Sequence, residues 1–245
     1  MTAENYFDQV AQIVNHLRET QRQAIERAAG WIAESLGQGG MLHVFGVAHG
    51  SLIAAEMFYR AGGLVPVNPI ADPNFSLLSG PPTKGTKLER LEGYGTVVLD
   101  AYDVHPGEVL IVASQSGKNA ATIQIALEAQ RRGLKVIAIT SLAHSRSVKA
   151  DHSSGKKLYE IADLVIDTGT PVGDASVLVH ADWPRVAPLS SVAGMIVVNA
   201  IVAHVAANFA ARGQRPPTWI SSNVPGGDAA NAEAMHGYVS RQRGI

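Results

Sequence analysis

Four short apolar runs alternate with stretches of helical periodicity: MLHVFG at residues 41–46, EVLIVAS at 108–114, KVIAIT at 135–140 and DLVIDT at 163–168. Short apolar strands separated by helices of about a dozen residues imply right-handed βαβ units and a parallel sheet covered on both faces. LVPVNPI at 64–70 reads as a further strand near a sheet edge, because its prolines cannot donate ladder hydrogen bonds. Helical periodicity runs from about Glu4 to Leu36 and stops at Gly37, Gly39 and Gly40. Residues 71–95 are a polar excursion, with a helix expected to resume near Leu88. After DLVIDT the pattern loosens, and VLVHADWPRVAPL at 177–189 suggests a short hairpin.

In such a sheet, ligands bind at the carboxyl ends of strands, where helix N-termini point free N–H groups. Two strand-to-helix loops here are rich in small residues: GVAHGS at 46–51 and SQSGKN at 114–119. Neither carries a dinucleotide fingerprint. Gly46 and Gly50 lie four apart, and the next strand offers Asn68 where an acidic residue is needed. GPPTKGTK at 80–87 misses the Walker pattern by reversing its last two residues, and no strand precedes it.

Other classes are narrowed by composition. With 245 residues, 46% hydrophobic and 17% charged, the chain suits one large core. A net charge of −1 gives no broad basic surface for nucleic acid. The absence of cysteine removes disulfides, thiolate zinc sites and cysteine nucleophiles. MTAENYFDQV does not read as a signal peptide, and a cytoplasmic location is expected. Residues 192–211 are charge-free and long enough to span a bilayer, but Asn199, His204 and Asn208 interrupt them. They are expected to form a buried core helix with Ser190 and Ser191 capping its start, and no membrane partner. The histidines show no H-E-x-x-H spacing, so no metal is expected.

The second loop suits a phosphate monoester. Ser114, Gln115, Ser116 and Asn119 each offer a side-chain donor, and the following helix adds backbone N–H groups with a partial positive charge. Lys118 either adds charge or faces solvent. The competing reading is that Ser116 merely caps the helix.

The order SQSG after an apolar strand, then a helix, then RRGLKVIAIT, resembles the sugar isomerase (SIS) domain family of phosphosugar-binding proteins. HVFGVAHGSLIAAEMFYRAGG resembles that family's first strand, loop and helix. LERLEGY, TSLAHSRSV, HSSGKKLY and SSNVPGGDAAN are similar to stand-alone members, and phosphoheptose isomerases are more distant relatives. The resemblance implies an α/β three-layer sandwich with a flavodoxin-like, mainly parallel five-stranded sheet. It would span residues 1–245 as a single domain, with an N-terminal helical extension (about 1–38) and a C-terminal tail (about 216–245).

It also implies a phosphosugar ligand, no cofactor, and a homodimer or homotetramer. Ser114, Gln115, Ser116 and Asn119 carry over as phosphate ligands. Ser51 is displaced by one position from the family's G-x-G-H-S, and either reaches the ligand or caps its helix. The leading activity is aldose–ketose isomerisation of a sugar phosphate through an enediol(ate), which needs a base and a carbonyl-polarising group. Glu56 is the candidate base and His49 the candidate acid or ring-opening group, against structural roles for both. Asn223 and Asp228 either close over a sugar or shape a turn, with Asp228 capping the last helix. The alternatives are a non-catalytic sugar-phosphate-sensing regulatory or accessory protein, and a phosphosugar etherase or lyase.

Overall fold

The apolar runs become neighbouring parallel strands. A computed structural model describes residues 2–242, so Met1 and residues 243–245, the outermost parts of the expected extension and tail, lie outside the described residues. In chain order the elements are α1 (Thr2–Thr20), α2 (Arg22–Gly37), β1 (Leu42–Gly46), α3 (Ser51–Met57), β2 (Val67–Ile70), α4 (Pro82–Leu88), α5 (Tyr94–Asp100), β3 (Val109–Ala113) and α6 (Ala120–Arg131). There follow β4 (Lys135–Thr140), α7 (Leu142–Ser147), α8 (Leu158–Ile161), β5 (Leu164–Asp167), β6 (Ala175–Val177), β7 (Val186–Pro188), α9 (Ser190–Ala211) and α10 (Gly227–Met235).

The main sheet runs β2-β1-β3-β4-β5, and every pairing in it is parallel. This is the flavodoxin-like order, and β2 with its proline lies at the edge. Side chains alternate across the strands. Leu42, Val44, Ile111 and Ile139 pack against α1, α2, α3 and α9, while Phe45, Leu110, Val112 and Ala138 face α5, α6 and α8. Burying each such aliphatic side chain is worth about 1.5–3 kcal/mol. The result is a three-layer α/β sandwich.

Helix α9 is long and apolar enough to cross a membrane; the sequence suggested a buried core helix, but only one of its faces is buried against the core. Val197, Val198, Ile201 and Val205 are buried on it against the helices of that face. Its opening amides are held by Asp174, whose carboxylate accepts from Leu189 N, Ser190 N and Ser190 Oγ at 3.1, 2.7 and 2.6 Å. The expected serine cap is therefore replaced by an aspartate from the preceding hairpin.

Other expectations shift in detail. The helical stretch 4–36 is two helices meeting at Gln21, whose Oε1 accepts from the Asp167 amide at the end of β5. The helix expected near Leu88 instead ends there, and the next begins at Tyr94. β6 and β7 form the expected hairpin, paired antiparallel. Asp228 sits in the first turn of α10, and the cap position belongs to Gly226 at φ 80°.

At the amino end of the central strands, Glu108 is 2% exposed. Its carboxylate accepts from Met41 N (2.8 Å), His43 Nε2 (2.9 Å), His105 N (2.8 Å) and both terminal nitrogens of Arg241 (2.7 and 3.1 Å). Burial alone would raise its pKa, but the bonds from His43, Arg241 and the His105 amide outweigh that and hold it at about 2.

Removing one partner of a buried ion pair leaves the other uncompensated. Glu108→Gln is therefore expected to lower stability by about 3–5 kcal/mol in urea unfolding. Because the folded pKa lies below its ordinary 4.5, the stabilisation is present above that value and lost as pH falls towards about 2. The variant should show a flatter acid limb than the parent.

Candidate functional site

The crossover from β1 leads to one side of the sheet and that from β3 to the other, so a crevice opens between their carboxyl ends. A cleft of about 420 Å³ lies there, and both small-residue loops line it.

The second loop turns through Gly117, at φ 58°, where an added Cβ would meet Leu158 Cβ at 3.0 Å. Left-handed backbone and this close approach together call for glycine. Ser114 Oγ accepts from Gly117 N at 3.1 Å, which fixes the turn. Among the described residues, the amides of Gln115, Ser116, Lys118 and Asn119 have no acceptor, nor does the Ser116 hydroxyl have a partner. The cap position of α6 is Asn119, so Ser116 does not cap that helix. Gln115 lines the cleft but spends its amide nitrogen on Thr170 Oγ1. Lys118 pairs with Asp151 at 2.7 Å and does not line the cleft.

The first loop is pressed onto its neighbours. A Cβ on Gly46 would fall 2.2 Å from Gly50 O, and one on Gly50 would fall 2.7 Å from Ala113 O. The backbone of this loop thus rests directly on β3, which brings the two loops together. Ala48 takes a positive φ of 52°, and Ser51 Oγ donates to its carbonyl at 2.6 Å. His49 projects into the cleft mouth and is exposed.

The wall between the loops contains a carboxyl group from a distant segment. Glu89, between α4 and α5, lines the cleft, and its carbonyl accepts Ala121 N at 2.9 Å. Burial raises its pKa above the ordinary 4.5, opposed by a hydrogen bond from the Asn119 side chain. His144 faces the same space from α7, with a buried, unpartnered Nδ1. Asp174, Thr168, Ser190 and Ser191 complete the polar wall. The convergent amides and hydroxyls suit a tetrahedral oxyanion, and a carboxyl group with a raised pKa suits proton transfer.

Residues 5–141 match the SIS domain family. The chain is 38% identical to a UPF0309 protein of Shouchella clausii over 232 residues, covering 95% of this chain and 94% of the relative. A UPF0309 protein of Oceanobacillus iheyensis is also 38% identical, over 95% of each chain. The chain belongs to the SIS domain family. Its fold is similar to that of a phosphoheptose isomerase from Neisseria gonorrhoeae, with a TM-score of 0.55 and 17% identity, covering 83% of this chain and 97% of that one. A phosphoheptose isomerase from Francisella tularensis gives 0.52 at 17% identity, covering 83% and 95%. At such identity the likeness is one of fold.

The SIS domain brings together Ser114, Gln115, Ser116, Asn119 and His49, but not the other expected residues. Ser51 is turned onto its own loop and does not line the cleft. Glu56 lies off the cleft, because its carboxylate is held by Arg60 and by Asn199 Nδ2 of α9 at 2.8 Å. Asn223 lines a separate cavity of about 210 Å³ with Tyr59, Arg60 and Trp219, and Asp228 is exposed on α10. Glu89, His144 and Asp174 were not singled out from the sequence. LERLEGY marked the segment of Glu89, but only the tertiary contact to α6 shows that it reaches the loop.

Two substitutions separate grip from shape. Ser116→Ala should leave the melting temperature unchanged and weaken phosphate binding by about 1.5–3 kcal/mol, read by calorimetry. Gly117→Ala should lower stability as well, by about 1–3 kcal/mol, through its left-handed backbone. Unchanged phosphate affinity in folded Ser116→Ala would remove the hydroxyl from the anion site.

Proposed function

We propose that this SIS domain binds a sugar monophosphate, with the phosphate on residues 114–119, and interconverts its aldose and ketose forms through an enediol(ate). The observation that carries this reading is the shared cleft, which Glu89, with its raised pKa, lines together with Ser114, Gln115, Ser116 and Asn119 of the anion loop. A phosphate held by the loop thus leaves the sugar carbons beside a proton-transfer group. Glu89 takes the C2 proton of the aldose as the C1 carbonyl gains electron density. It then returns a proton to C1, while His49 or His144 moves a proton at the oxygens. Glu89 takes the role that adjacency to the first loop suggested for Glu56.

Deuterium oxide tests the chemistry. Turnover of a sugar phosphate should place deuterium on the product carbon, and Glu89→Gln should slow it by about 10²–10⁴-fold with binding retained. Glu56→Gln should turn over like the parent. The acid limb of kcat/KM should titrate above 4.5, the ordinary value for the group. If bound sugar phosphates neither change form nor acquire deuterium, the domain is a sensor rather than an isomerase.

Self-association belongs to the same reading. Phe7 and Val14 on α1 are 62% and 39% exposed, leaving apolar surface for a second copy. Light scattering should give a dimer or tetramer at micromolar concentration, and a stable monomer there would overturn this assembly.

A further inference from the structure

The cleft combines an anion loop with a wall in which, among the described residues, there is no lysine or arginine. Its lining includes two carboxyl groups, Glu89 and Asp174. Among the described residues the nearest cations lie outside the lining; Arg90, next to Glu89 in the chain, is exposed, and its charge and that of Lys118 act on Glu89 against the effect of burial. Lys118 pairs with Asp151, and Lys157 Nζ donates to the carbonyls of Ser145 and Val148 at 2.8 and 3.2 Å. Arg185 Nη1 donates to the Ser176 carbonyl at 2.8 Å within the hairpin. Negative charge on a ligand is therefore met by neutral donors in one place, the amides and hydroxyls of residues 114–119. Elsewhere the described lining offers carboxyl oxygens, hydroxyls, imidazoles and apolar groups.

We infer that the cleft selects among sugar phosphates by charge, favouring amino-sugar monophosphates and rejecting those with a second acidic group. The inference rests on the phosphate being held by residues 114–119. A protonated amine on the sugar gains from Glu89 and Asp174, whereas a carboxylate or second phosphate is repelled by them. Charges sharing a cavity of this size lie within about one Debye length, and its protein walls weaken solvent screening. The same reasoning argues against the etherase reading, because a lactyl-ether acid would bring a carboxylate to this wall.

Calorimetric titration at pH 7 tests the order. The ligands are glucosamine 6-phosphate, glucose 6-phosphate and glucose 1,6-bisphosphate. The first should bind at least tenfold more tightly than the third, with glucose 6-phosphate between them. Raising the salt concentration should compress the spread in the unaltered protein. Glu89→Gln should narrow it further, by improving bisphosphate binding and weakening that of the amine. Bisphosphate binding as tight as that of glucose 6-phosphate would overturn the inference. So would a spread unmoved by both salt and Glu89→Gln, which would assign discrimination to size. If glucose 6-phosphate itself does not bind, the phosphate reading falls and takes the charge rule with it; if it binds without the order, only the charge rule falls.

Discussion

The side-by-side pairing of β1 with β3 is the constraint on which the rest depends. Leu42 to Gly46 match Val109 to Ala113 in parallel register, and the crossovers from the two strands leave in opposite directions. Their carboxyl ends cannot be covered by a helix from either side, so loops must cover them. Those loops fit because Gly50 lets backbone lie against backbone at Ala113, while Gly46 lets the first loop fold back tightly on itself at Gly50. A side chain at Gly50 would push the first loop away from β3 and separate His49 from the serines.

Two carboxyl groups, one buried and one half-buried, show how the same fold sets opposite protonation behaviour. Burial is the largest influence on both Glu108 and Glu89, and in each it favours the neutral acid. Glu108 receives hydrogen bonds from two backbone amides, a histidine and an arginine, and these reverse the effect. Against burial, Glu89 has only the Asn119 side chain and the charges of Arg90 and Lys118, which do not. The number and charge of the donors decide the direction. One end of the sheet thereby holds a fixed anion that organises structure, and the other holds a carboxyl group that can exchange a proton.

The strands and the two small-residue loops at their ends were legible in the sequence because each is a local pattern. Apolar runs such as KVIAIT need burial on both faces, and SQSG between a strand and a helix places its small residues at a strand end. Ser116 was ambiguous until the cap position of α6 was seen to be Asn119. The carboxyl groups of the cleft were not legible. Glu56 follows the first loop directly in sequence, yet Arg60 and Asn199 hold its carboxylate away from the cleft. Glu89 and Asp174 come from the β2–β3 excursion and from the turn before β6, segments with no period that would predict their destination. Their positions are fixed by single long-range contacts, Glu89 O to Ala121 N and Asp174 to the start of α9.

The contact of Arg241 with Glu108 also orders events in time. The two residues are 133 positions apart, and Gln242 beside Arg241 donates to the carbonyls of Val65 and Val67. During synthesis the central strands emerge long before this clasp. A nascent chain that has already paired β1 with β3 still has a carboxylate without its guanidinium at the base of its sheet. The segment around Arg241 therefore closes the fold after the sheet has been laid down.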